Sequence, residues 1–159
     1  VFLRYNNLIK KEKENMNQKK LNNKGFSLVE LIIVVAIMAV LVGLLAPQFL
    51  KYVNRSKYST DLKNAQEIAT VVQTLITDGD LSPAAAVEDE LYVSTAGAGK
   101  AAKDAGIMSE IPTSKTGTTN KFYVSYSKTG VTAVKLGAAP ASAVELYPKV
   151  NEDFAKNLK

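Results

Sequence analysis

Cysteine and histidine are both absent from this 159-residue sequence. Their absence excludes disulfides, metal centres built on thiolate or imidazole, and catalysis by either side chain. Any globular part must therefore hold together by packing alone. No serine or lysine stands in a nucleophile–base arrangement, so no enzyme is read from the chain. Asp78, Asp80 and the cluster Glu88-Asp89-Glu90 lack the spaced ladder of oxygen ligands that calcium requires, and read as a solvated turn and a helix face. Gly97-Ala98-Gly99-Lys100 is too short for a phosphate loop and has no hydroxyl residue after the lysine. No metal or cofactor is expected.

Excess charge is also missing from most of the chain. The net charge is +5, and residues 1–25 carry all of it, with seven basic against two acidic residues. The remainder holds thirteen of each sign. That balance speaks against nucleic acid as a partner, because phosphate neutralisation favours a basic excess. A cationic segment ahead of a hydrophobic one orients a membrane helix with its N-terminus in the cytoplasm.

What the chain does have is one long apolar run. From Phe26 to Leu50 only Ser27, Glu30 and Gln48 carry polar side chains. As an α-helix it would rise about 37 Å at ~1.5 Å per residue, enough to cross a hydrocarbon core of about 30 Å. Pro47 removes a backbone donor and crowds the carbonyl of Gly43, which predicts a kink. Ser27-Leu28-Val29-Glu30 spells a capping box, in which the glutamate satisfies the helix start. An ionisable side chain placed in lipid also asks for a partner.

Residues 51–77 continue as an amphipathic helix. Tyr58, Leu62, Ala65, Ile68, Val72, Leu75 and Ile76 recur at helical steps, with Arg55, Lys57, Asp61, Lys63, Asn64 and Glu67 on the other face. Asp78-Gly79 ends it. Beyond lies a head, residues 80–159. Ser82-Pro83 predicts the start of a short helix running through Ala86 to Leu91. Ser94–Gly99 reads as a loop, Lys100–Asp104 as a helical turn, and Ile111–Asn120 as a second loop. Phe122–Tyr126 and Val131–Leu136 read as strands of a hairpin turning at Lys128-Thr129-Gly130. A third strand is expected at Ala143–Tyr147 and a terminal helix at Asn151–Leu158. Tyr123, Tyr126 and Tyr147 are assigned to sheet and core packing. The fold class is α+β: a long N-terminal helix, transmembrane in its first half and amphipathic in its second, packed on a small antiparallel β-sheet head. The domains are 1–25 as a leader, 26–50 as the spanning helix, 51–79 as its amphipathic half and 80–159 as the head.

Lys24-Gly25-Phe26-Ser27-Leu28-Val29-Glu30 resembles the prepilin signal of type IV pilins, with the class III leader and the general form of a Gram-positive major pilin. The resemblance covers about residues 16–77. It implies cleavage between Gly25 and Phe26, N-methylation of Phe26, and retention of the apolar helix, unlike a secretory signal that is discarded. The short leader beginning at Met16 suggests translation from there. In the family, Glu30 pairs with the methylated amine of Phe26 in an assembled fibre. The resemblance further implies a homo-oligomeric helical filament, a prepilin peptidase and methyltransferase, pilus assembly machinery, and residence in the cytoplasmic membrane before assembly on the cell surface. The alternatives are a pseudopilin of a secretion or competence system, or a single-span membrane-anchored binding domain.

Overall fold

In the computed structural model, residues 26–159 are described; the leader and Gly25 lie outside them. The first element is α1, Leu28–Asp78, whose order along the chain is followed by β1 (Val87–Leu91), α2 (Gly97–Asp104), β2 (Lys121–Ser127), β3 (Gly130–Gly137), a 3-10 turn at Pro140–Ser142, β4 (Val144–Tyr147) and α3 (Glu152–Lys156). The α+β class read from the sequence is the one observed. The described residues divide into two units, one ending at Leu45 and the other running from Ala46 to Lys159.

α1 runs on through Pro47, whose missing N–H leaves one rung of the helical ladder without its donor. Its threonines would disfavour a helix through their branched Cβ. Thr60, Thr70, Thr74 and Thr77 each turn the hydroxyl back onto the carbonyl four residues earlier, at 2.8–3.0 Å. The buried face holds Asp61, Ala65, Ile68, Ala69, Val71, Val72 and Leu75. Gly79 closes the helix in the left-handed region, φ +87°, where a side chain would be strained. The Leu81 N–H then returns to the Leu75 carbonyl at 3.0 Å.

The four strands form one antiparallel sheet in the order β1-β2-β3-β4. The β2–β3 hairpin pairs Ser127 with Gly130 and Val124 with Val134, turning through Lys128 and Thr129 as expected. Its tip is tied to α1: Gln73 Oε1 accepts the Val131 N–H at 3.2 Å, and a Cβ on Gly130 would collide with that same amide. Ile68, Val72 and Leu75 of α1 share one apolar core with Phe122, Val124, Val134, Leu136 and Leu146 of the sheet, with Tyr92, Met108 and Phe154 closing its ends. Fully burying a side chain of this size stabilises the fold by roughly 1.5–3 kcal/mol. Tyr58 meets Phe154 edge to face, with ring centroids 4.9 Å apart, and so docks α3. α3 is capped by Asn151, whose Oδ1 accepts the Asp153 and Phe154 N–H groups at 3.0 and 3.3 Å.

Three expectations need correction. The helix expected through Ala86–Leu91 is instead strand β1, paired with β2 as Val87 to Tyr126, Glu90 to Val124 and Leu91 to Tyr123. The open edge of β2 takes up its backbone groups, and Asp89, in the left-handed region at φ 49°, forms a bulge that no helix accommodates. The glycines of the expected 94–99 loop do not hold α2 off until Lys100; it already begins at Gly97. Asp61, expected on the solvated face of α1, is fully buried.

Candidate functional site

Two polar arrangements stand out, one in each unit. At the start of α1, the Ser27 N–H donates to Glu30 Oε2 at 2.8 Å, and the Val29 N–H donates to Ser27 Oγ at 3.3 Å. This is the capping box anticipated from the sequence, with the serine bonded to the second rather than the third helical N–H. It sets the carboxylate against the main chain one residue beyond the Phe26 nitrogen. Phe26 itself is 84% exposed. From Leu28 to Leu50 the large apolar side chains are all exposed, an arrangement that calls for an apolar environment. The helix is long and apolar enough to cross a membrane. Of the other residues singled out, Pro47 lies inside α1, and Gly25 lies outside the described residues.

The second arrangement was not legible. Asp61 reaches the loop between α2 and β2. Its Oδ1 accepts the Lys115 N–H at 2.7 Å. Its Oδ2 accepts the Thr116 N–H at 3.0 Å, the Thr116 hydroxyl at 2.6 Å and the Ser114 hydroxyl at 2.8 Å. A buried carboxylate is tolerated when donors surround it in this way. The only sequence signal was the run of short donors Ser114-Lys115-Thr116 in a segment with no strand or helix pattern.

The acidic cluster is also absorbed by the fold. Asp89 pairs with Lys135 at 2.8 Å, and its main-chain N–H donates to Ser125 Oγ at 2.9 Å. Glu90 Oε1 accepts the Ala98 N–H at 2.7 Å, capping α2, whose own Ncap residue, Ala96, has no side-chain oxygen to offer. Glu90 Oε2 accepts the Tyr126 hydroxyl at 2.9 Å. Burial and then Glu90 raise the Tyr126 phenol well above the ordinary tyrosine value. The Tyr92 phenol is pushed up to about 12 by burial and, secondarily, by the Glu67 carboxylate. Among the described residues no cluster of three or more acidic side chains gathers to hold a metal ion. A cleft of about 510 Å³ between the end of β1 and the 111–120 loop is lined by Tyr92, Ile111, Pro112, Thr118 and Phe122, with Ser94, Ser114 and Lys121 at its wall.

The family model described as the prokaryotic N-terminal methylation motif matches residues 20–46. A type IV major fimbrial protein FimA of Dichelobacter nodosus is 39% identical over 56 residues, which is 35% of this chain and 36% of that protein. The type IV major pilin protein PilA of Myxococcus xanthus is 38% identical over 58 residues, 36% of this chain and 26% of that one. The chain thus spans about a third of the length of the fimbrial relatives it matches. No solved structure matches. The resemblance to type IV pilins is borne out over that shared part by both comparisons, and the relatives bear the names of fimbrial and pilin proteins rather than of enzymes.

Proposed function

We propose that the chain is a type IV pilin, a structural subunit of an extracellular filament. The observation that carries this is the start of α1: a carboxylate held beside the Ser27 nitrogen, inside the matched methylation motif, at the head of an exposed apolar helix. In this reading the precursor sits in the cytoplasmic membrane with residues 1–25 inside. A prepilin peptidase cuts between Gly25 and Phe26, and the new Phe26 amine is methylated. Cutting there creates a cation one residue from a Ser27 N–H that Glu30 already holds. The carboxylate then has two uses. Within one subunit it caps its own helix. In the fibre it neutralises the Phe26 amine, where an unpaired charge in an apolar core would be penalised by several kcal/mol. Residues 26–50 pack helix to helix with copies of themselves, and Pro47 gives the helix its point of bending. Pilus assembly machinery would draw the subunit from the membrane to the cell surface.

The test is the N-terminal sequence and intact mass of the protein recovered from sheared surface fibres. The expected result is a chain beginning at Phe26 and heavier by one methyl group. A fibre protein beginning at Val1 or Met16 would overturn the reading.

A further inference from the structure

The cations that follow the apolar run stand in an unusual setting. Lys51, Arg55 and Lys57 come within seven residues of Leu50, and no acidic residue occurs between Glu30 and Asp61. Asp61 is buried and spent on the 114–116 loop. Basic residues near a membrane helix belong by preference on its cytoplasmic side. Here that side already has the leader, so cations at the far end work against the orientation. They require a reason of their own.

The fold gathers them further. Lys51, Tyr52 and Arg55 of α1 line a cleft of about 370 Å³ together with Lys156, Asn157 and Lys159 of the C-terminal segment. Lys51 and Arg55 are four residues apart and share one face of the helix. The Arg55 Nε donates to the Leu158 carbonyl at 3.3 Å, which anchors the guanidinium at the cleft while its terminal nitrogens make no bond among the described residues. Lys156 is taken by Asp153 at 2.7 Å. Lys51, Arg55 and Lys159 have no carboxylate within salt-bridge distance among the described residues. Three like charges thus line one concave surface, and none of the three side chains is in a salt bridge among the described residues. The same surface carries Tyr52, 63% exposed, an amphipathic ring of the kind that settles at membrane–water boundaries.

Geometry selects the counter-ion. At ~1.5 Å per residue, Lys51 and Arg55 lie about 1.5 and 7.5 Å past Leu50 along α1. The polar layer on each side of a bilayer is about 5–7 Å deep. If the apolar run ends where the hydrocarbon ends, both cations fall at the level of lipid phosphates.

We propose that this cleft binds the phosphate headgroup of an anionic phospholipid in the outer leaflet and so seats the head on the membrane before assembly. The site rests on the membrane-embedded precursor of the reading above. Arg55 supplies a planar two-pronged contact to phosphate oxygens, and Lys51 and Lys159 supply point charges. Extraction into a fibre would then exchange lipid phosphate for another environment, and the strength of the seat would set how readily a subunit leaves.

The full chain contains no tryptophan, so a Tyr52→Trp substitution places one fluorescent reporter in the cleft. The protein is reconstituted into phosphatidylcholine vesicles containing a small fraction of spin-labelled phosphatidylglycerol or, separately, equally labelled phosphatidylcholine. Quenching by the anionic label is expected to exceed that by the zwitterionic label, reporting local enrichment of about fivefold or more per contributing charge. Lys51→Gln, Arg55→Gln and Lys159→Gln together should bring the two labels to parity. Lys103→Gln, Lys121→Gln and Lys128→Gln, an equal loss of exposed charge elsewhere, should leave the preference intact. Should the first triple variant lose native circular dichroism, Lys51→Gln alone, which breaks no hydrogen bond of the fold, is expected to reduce the preference about fivefold. Equal quenching by both labels in the parent, loss of preference in the control triple, or abolition of the preference by added inorganic phosphate would each overturn the lipid site. A chain that fails to float with the vesicles after alkaline washing would instead overturn the membrane reading itself.

Discussion

Asp61 holds Thr116 twice, accepting its main-chain N–H at 3.0 Å and its hydroxyl at 2.6 Å on one carboxylate oxygen. With Lys115 and Ser114 added, one side chain of α1 organises a loop more than fifty residues away. Asp61→Ala should therefore destabilise the head by about 3–5 kcal/mol, since it leaves several donors buried without an acceptor. Asp61→Asn keeps the shape but presents an NH2 to donors on one side, and should lose about 2–3 kcal/mol. Urea denaturation followed by circular dichroism measures both. A loss below half a kcal/mol for either would show that the loop is held by other means.

At position 30 the charge and the cap are separable. On the proposed reading, Glu30→Val would relieve a carboxylate in lipid and strand the Phe26 amine in the fibre, so the two environments would respond with opposite sign. The ratio of sheared fibre to membrane-held subunit should fall steeply for Glu30→Val and less for Glu30→Gln. Glutamine still fills the capping position, so a parent-like ratio for Glu30→Gln would reduce Glu30 to its local bond with Ser27.

Glu90 stands in for a missing cap on α2. Glu90→Ala should destabilise the head by about 1–2 kcal/mol and speed amide exchange at Ala98 and Gly99. Glu90→Gln retains an acceptor for the Ala98 N–H and should preserve most of the protection. Unchanged exchange in the alanine variant would mean that α2 does not depend on this bond.

Alkali should unfold the head through its tyrosines. The phenols of Tyr92 and Tyr126 are raised above the ordinary value near 10, Tyr92 to about 12. Between those values the unfolded chain has lost the proton that the folded chain keeps, so stability falls as pH rises. Their contribution is whole below pH ~10 and is lost as pH climbs through the folded values. Thermal melts between pH 9 and about 12 should show a steep decline that Tyr92→Phe makes shallower. A parallel decline in that variant would exclude Tyr92 as a source.

Local features were the readable ones. The hairpin could be read because Lys128-Thr129-Gly130 punctuates two β-rich runs, and the Ser27–Glu30 cap because both partners lie in one turn. β1 could not, because Glu88-Asp89-Glu90 after an alanine run has helical character and its strand state depends on the free edge of β2. Asp61 was hidden for the same reason. It stands beside Lys63 and Asn64 in a polar stretch, and only the distant 114–116 donors turn it inward.

The sheet order has a consequence for how the head is made. β1, β2, β3 and β4 lie side by side in the sequence in which the chain delivers them, with α1 first of all. Each strand after β1 pairs with a neighbour already present, and none has to be inserted between two that have closed. A chain made from its N-terminus can therefore build this head by successive addition at one edge, each new strand laid on the last.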